Sequence, residues 1–261
     1  MPVAGEAQIA WLGHSTVVLD VDGRRVLTDP LLHAHNWPLR RRGGAAPDEA
    51  WWRDPEVVLL SHLHSDHAQV SSLKRLDGIP ILTAPDNATW LTRKGISSGV
   101  GMGDDWLDAT GRGPQIRLVR ADHGHRPMPH RPNATNGHLV RFPTATVYVA
   151  GDTDLYDEMA DLPELAGGRI DGAVVPIWGW GSRLSGGHMG PEEAAKACAV
   201  VGARWALAVH WGTLHVPWLS QLPKDWMDAP GDHFAEALAE HAPGCVRVEL
   251  MPGERTALPV A

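Results

Sequence analysis

The stretch Val57-Val58-Leu59-Leu60-Ser61-His62-Leu63-His64-Ser65-Asp66-His67 decides how this chain is read. Four apolar residues, the length of a short buried strand, run directly into three histidines and an aspartate. Imidazole and carboxylate suit zinc and similar divalent ions, and catalytic sites leave one coordination position open. His62 and His64 point the same way if the backbone stays extended. Asp66 and His67, beyond a turn, then address a second ion, roughly 3.5 to 4 Å from the first in two-metal sites.

Two ions need further ligands, and loops at other strand ends supply candidates. The run Ile116-Arg117-Leu118-Val119 leads into Asp122-His123-Gly124-His125, so either His123 or His125 offers a third ligand to the first ion. Ala145 to Ala150 reads as a strand that stops at Gly151-Asp152-Thr153, a carboxylate placed to bridge both ions. Trp205 to Val209 ends at His210-Trp211-Gly212-Thr213 and completes the second set.

The succession H-x-H-x-D-H, His, G-D-T and H-W-G-T resembles the metallo-β-lactamase superfamily of dinuclear metal hydrolases. WLGHST at 11–16, LTDP at 27–30, HMGPEEA at 188–194 and HWGT at 210–213 resemble a narrower branch. That branch holds N-acyl phosphatidylethanolamine phospholipase D and ascorbate-6-phosphate lactonase-like proteins. The resemblance runs from about Ile9 to about Leu250. It implies an α+β fold, a four-layer αββα sandwich of two mixed β-sheets, and it favours His123 over His125. It also implies two divalent metal ions, Zn2+ first, with Mn2+ or Fe2+ able to occupy the same ligands. A metal-bridging hydroxide would then attack a phosphodiester or, in the alternative reading, a lactone of a small, phosphorylated or plain, sugar acid. A reading of another class is a metal-binding sensor or diiron redox protein without hydrolytic turnover. The iron-redox relatives carry Glu where His64 stands and add a flavin-binding domain, and neither is found in this sequence.

Within that expectation the metal ligands are His62, His64, His123, Asp66, His67, Asp152 and His210. Asp66 and Asp152 also orient the nucleophile. His188 is the candidate to assist the leaving group or bind an oxyanion. It precedes a helix start at Gly190-Pro191-Glu192-Glu193, where the helix dipole favours the neutral imidazole. Asp29, in Thr28-Asp29-Pro30, is placed to accept a hydrogen bond from a ligand imidazole and fix its tautomer. His14 either sits beside the metals or serves a hairpin. Trp178 and Trp180 could wall a substrate pocket, and Trp211 has a similar motif-adjacent position. His33, His35, His130 and His215 lie in loops near the cleft, whereas His138, His233 and His241 read as structural or solvent-facing.

Composition fits one soluble enzyme domain over 1–261, with 43% hydrophobic residues to build a core. No run approaches the roughly 20 apolar residues of a membrane-spanning helix, and MPVAGEAQIA has no signal-peptide pattern. Cys198 and Cys245 form no disulfide framework, which agrees with a cytoplasmic location. A net charge of -8 disfavours nucleic acid. A small-molecule substrate is expected, and a homo-oligomer is compatible with the sequence. Arg40-Arg41-Arg42, the one basic cluster, reads as a solvated loop beside Gly43-Gly44.

Overall fold

In this computed structural model, which describes residues 7–124, 132, 134–218 and 223–259, the first half alternates strand by strand as its sequence does. Its elements are β1 (Gln8–Gly13), β2 (Thr16–Val21), β3 (Arg24–Thr28), β4 (His35–Asn36), β5 (Leu39–Arg41), α1 (Glu49–Trp52), β6 (Val57–Leu59), α2 (Val70–Lys74), β7 (Ile81–Thr83), α3 (Pro85–Arg93) and β8 (Gly99–Gly101). The second half holds β9 (Gln115–Arg120), β10 (Asn136–Arg141), β11 (Thr146–Val149), α4 (Leu162–Leu165), β12 (Gly172–Pro176), α5 (Pro191–Val200), β13 (Trp205–Val209), β14 (Leu214–His215), α6 (Ala229–His241), β15 (Val246–Val248) and β16 (Glu254–Ala257). Two large mixed sheets result, in the orders β16-β1-β2-β3-β6-β7-β8 and β15-β13-β12-β11-β10-β9.

Period-two patterning explains why the first sheet is covered on both faces. Ile9, Trp11, Val17, Leu19, Val26, Val57, Leu59 and Leu82 share one apolar cluster with Leu139, Val147, Val149 and Val174 of the second sheet. The alternate residues Ala10, Leu12, Val18, Leu27, Val58 and Ile81 pack instead against Trp52, Leu73, Trp90 and Leu91 of α1, α2 and α3. Ala194, Cys198, Phe234 and Leu238, from α5 and α6, join the core on the side of the second sheet. The layers are therefore helix, sheet, sheet, helix, the α+β sandwich that the motifs imply.

Strand direction then fixes where chemistry can occur. β3, β6, β7 and β8 are mutually parallel, as are β11, β12, β13 and β15. β1 lies two antiparallel steps from β3, and β9 two from β11, so both run with these strands. Seven strands, β1, β3, β6, β9, β11, β12 and β13, thus deliver their carboxyl ends to one rim, the usual place for a site in open α/β sheets.

Local chemistry departs from expectation in two places. The sequence pattern predicts a helix near 155–161, where the structure has a 3-10 turn at Asp157–Asp161 followed by α4. Pro163 lacks an N–H and would clash with the carbonyl four residues back, so one continuous α-helix cannot pass through it. The arginine cluster is the second correction. Arg40 and Arg42 are exposed, but Arg41 is buried in β5, part of a small third sheet ordered β14-β5-β4. Its guanidinium donates to Leu12 O at 2.7 Å, to His33 O at 3.0 Å and also to Leu31 O. Three carbonyls replace the water that a solvated loop would have used.

Candidate metal centre

The rim brings together His62, His64, Asp66, His67, His123, Asp152 and His210, with His14, Asp29 and His188 beside them. His62, His64, His123 and Asp152 each offer a ligand atom, all within 4.8 Å of one another, and the same holds for His14, Asp66, His67 and His210. Asp152, just past the end of β11, stands between the two groups. Its Oδ2 lies 3.8 Å from His62 Nε2, 3.8 Å from His123 Nε2, 3.1 Å from His67 Nε2 and 3.2 Å from His210 Nε2. Gly151 makes this approach feasible: its φ is +65°, and a Cβ there would sit 2.7 Å from Ser61 Cβ. His125 and His130 fall outside the described residues, and His123 lies in the first group.

The outer nitrogens of these imidazoles are already committed. His67 Nδ1 donates to Asp29 Oδ2 at 2.8 Å, His123 Nδ1 to Gly187 O at 2.7 Å and His210 Nδ1 to Trp178 O at 3.0 Å. Ser61 Oγ donates to Asp29 Oδ2 at 2.7 Å and so accepts from His62 Nδ1 at 3.0 Å. In the neutral ring each bond leaves Nε2 as a lone pair aimed inward, which is how outer partners of metal-binding histidines fix the tautomer. Asp29 is thereby linked to one histidine of each group.

The inward atoms test whether a cation fits. His62 Nε2, His67 Nε2, His210 Nε2 and Asp152 Oδ1 are buried without a hydrogen-bond partner among the described residues. Leaving one such group unsatisfied costs about 1 to 3 kcal/mol, so four converging in one place need a common partner. Histidine nitrogens with carboxylate oxygens form the donor set that a borderline divalent ion satisfies. The residues present fit divalent metal.

Electrostatics in the metal-free state agree. Burial, with neighbouring His67, holds the His62 pKa well below its ordinary value; burial and His123 lower His64 to about 4; burial likewise lowers His123. Burial and His210 lower His14 to about 3. His67 is the exception. Burial opposes its charge, but the Asp152 and Asp29 carboxylates on its two sides outweigh that and hold its pKa well above the ordinary value. Burial would raise Asp66 and Asp152, yet their histidine neighbours hold both carboxyls well below the usual range.

His188 stands at the half-exposed side, with Nε2 3.3 Å from Asp152 Oδ2 and Nδ1 3.1 Å from Ser185 O. Burial again opposes charge, but the hydrogen bond and charge of Asp152 raise its pKa, against the neutral form expected from the start of α5. A carboxylate in contact overrides a dipole that fades within a turn. The tryptophans divide. Trp178 contributes its carbonyl to His210 while its ring packs on the core, Trp180 is 45% exposed, and Trp211 is a core residue stacked on Trp11 at 5.6 Å. The backbone carbonyls of Gly187 and Trp178 carry no side-chain signal and were beyond sequence reasoning; Ser61 was visible as the residue between the apolar run and His62.

A sequence model of the family described as "Beta-lactamase superfamily domain" matches residues 24–211. A protein of Pyrobaculum neutrophilum named UPF0173 metal-dependent hydrolase is 30% identical over 223 residues, covering 84% of this chain and 89% of that protein. Among solved structures, Igni18, a metallo hydrolase from Ignicoccus hospitalis, superposes with a TM-score of 0.72 at 20% identity, covering 98% of this chain and 99% of its own. CmlA, a diiron beta-hydroxylase from Streptomyces venezuelae, gives 0.68 at 18% identity over 99% of this chain and 55% of its own. Both structural likenesses concern the fold. Over most of its length, then, the chain belongs to the β-lactamase superfamily, among the relatives named UPF0173 metal-dependent hydrolases.

Proposed function

We propose that this protein is a metal-dependent hydrolase working with two divalent ions, zinc first, on a small phosphodiester. The convergence of four ring nitrogens on Asp152 Oδ2 within 3.1 to 3.8 Å carries the reading. His62, His64 and His123 would hold one ion, Asp66, His67 and His210 the other, with Asp152 common to both. Bound there, the ions would lower the pKa of water towards about 7 and offset negative charge developing on a substrate oxygen.

The protein's own part is preorganisation. Asp29, Ser61, Gly187 O and Trp178 O keep His67, His62, His123 and His210 in the orientation and tautomer that ligation requires. His188 Nε2, at the half-exposed side of the cluster, is placed to hold or deliver a proton at a substrate or leaving-group oxygen. Trp180, exposed nearby in sequence, is the candidate to shape the pocket.

The motif likeness to the phospholipase D branch makes a phosphodiester the first substrate to test, and the lactonase likeness makes a lactone the second. Among the described residues no helix is long and apolar enough to cross a membrane. Elemental analysis of the purified protein, with parallel assays on a chromogenic phosphodiester and a panel of lactones, tests the reading. About two zinc per chain with phosphodiester turnover is expected. Absence of bound metal would refute it; iron with iron-oxo absorption and no hydrolysis would favour the redox class to which CmlA belongs.

A further inference from the structure

His14 occupies a place that local backbone chemistry does not favour. Gly13 pairs with Thr16, so His14 and Ser15 form a two-residue loop between β1 and β2, and His14 has a φ of +53°. Positive φ at the first position of such a loop is the place of glycine or asparagine. The residue is fully buried as well. A side chain kept in a strained conformation persists only where its surroundings fix it, and such residues cluster at functional sites.

The surroundings here are explicit. His14 N donates to Thr213 Oγ1 at 2.8 Å, and His14 O accepts from His210 N at 3.0 Å and from Trp11 Nε1 at 2.8 Å. Gly13 leaves no slack, since a Cβ there would lie 2.5 Å from Arg41 Nη1 and 2.8 Å from Thr213 Cγ2. The hairpin tip is wedged against the His210 loop. Its imidazole is then aimed at one partner, with Nε2 2.9 Å from Asp66 Oδ2. Nδ1 is buried without a partner among the described residues, so the ring proton belongs on Nε2. The ring lies 4.0 Å from that of His210 and 5.5 Å from that of His67, the two histidines grouped with Asp66.

We propose that His14 is a positioning residue for one ion site: its Nε2–H holds an Asp66 carboxylate oxygen, so the Asp66–His67–His210 set depends on it and the His62–His64–His123 set does not. The proposal rests on the two-ion reading above. It also explains why a histidine stands where the loop favours glycine.

The test is titration of metal-free wild type, His14→Phe and His14→Gln with Zn2+ alone by calorimetry, and with Co2+ by visible absorption. Phenylalanine keeps the ring without the donor, and glutamine restores an N–H near the Nε2 position. Wild type should take two ions. His14→Phe should bind the first with affinity within about twofold and the second about 10- to 100-fold more weakly, the usual effect of losing an outer partner of a ligand. His14→Gln should recover the second site to within about fivefold. A second affinity untouched by His14→Phe, an equal loss at both sites, or glutamine no better than phenylalanine would overturn the role of His14. If the Phe variant does not fold, the Gln variant decides, because a second site as weak as about 100-fold below wild type overturns the proposal and near-normal affinity upholds it. A wild type that takes one ion would instead sink the two-ion reading, which separates the two failures.

Discussion

Asp29→Asn removes one negative charge with almost no change of shape, and the structure says what that should cost. Asp29 is 3% exposed and accepts three hydrogen bonds: Ser61 N at 2.8 Å, Ser61 Oγ at 2.7 Å and His67 Nδ1 at 2.8 Å. An asparagine has one acceptor oxygen. Whichever way its amide turns, the NH2 faces a donor, either Ser61 N or the Ser61 Oγ and His67 Nδ1 pair. One unsatisfied buried donor costs about 1 to 3 kcal/mol. Losing an outer partner of a metal-binding histidine weakens metal binding about 10- to 100-fold, equivalent to about 1.4 to 2.8 kcal/mol. The two estimates overlap. Because Asp29 touches His67 directly and His62 through Ser61, both ions should weaken, unlike the selective loss expected from His14→Phe. Competition for Zn2+ against a chromogenic chelator reads both affinities. If both stayed within about twofold of wild type, roughly 0.4 kcal/mol, the linkage through Asp29 would be wrong.

Asp152→Asn should abolish paired-ion binding and cut hydrolysis by about 100-fold or more, the scale of a single strong electrostatic contributor; elemental analysis with two ions still bound would contradict it. His67 should release a proton on metal binding, since its pKa in the metal-free protein lies well above 6.5 and ligation needs the neutral ring. Zinc affinity should therefore rise with pH through that range, and calorimetry in buffers of different ionisation enthalpy that finds no proton release would refute this. The same raised pKa stabilises the metal-free fold fully below 6.5 and ceases to do so as pH rises through the folded-state value. Gly172→Ala would place a Cβ 2.0 Å from Trp205 Cε2 in the core. It should cost about 1 to 3 kcal/mol, roughly 2 to 12 °C in Tm, and an unchanged melting curve would show the site can yield.

Most of the fold was legible because its signals are local. Apolar runs such as 57–60 and 145–150 form strands that end in ligand-bearing loops. β4, β5 and β14 were not legible. They are two or three residues long and exist through pairing across the chain, as Leu214 with Arg41 shows. Arg41 was misread for the same reason, since the three carbonyls that bury it come from Leu12, Leu31 and His33. The histidines and aspartates of the site were visible as residue types following strands. What held them was visible only in part: Asp29, which accepts from His67, was named from the sequence, whereas Gly187 O and Trp178 O are backbone atoms. The strained backbone of His14, Asp29 and His210, with φ of +53°, +34° and +64°, is likewise set by tertiary contacts.

The candidate ligand sets straddle the two sheets, and this gives the metals a mechanical meaning. His62 and His64 hang from the first sheet, His123 and Asp152 from the second; Asp66 and His67 belong to the first, His210 to the second. Elsewhere the contact between the described parts of the sheets is largely apolar, crossed by hydrogen bonds such as Asn136 N to Ser61 O at 3.1 Å and Thr144 Oγ1 to Asp22 Oδ1 at 2.9 Å, and both cysteines are free. Each ion would therefore act as a rivet through the sandwich, gripping the native state and finding no equivalent seat in the unfolded chain. Metal supply would then set the lifetime of the protein as well as its activity, and a chain starved of metal would be the one that proteases find first.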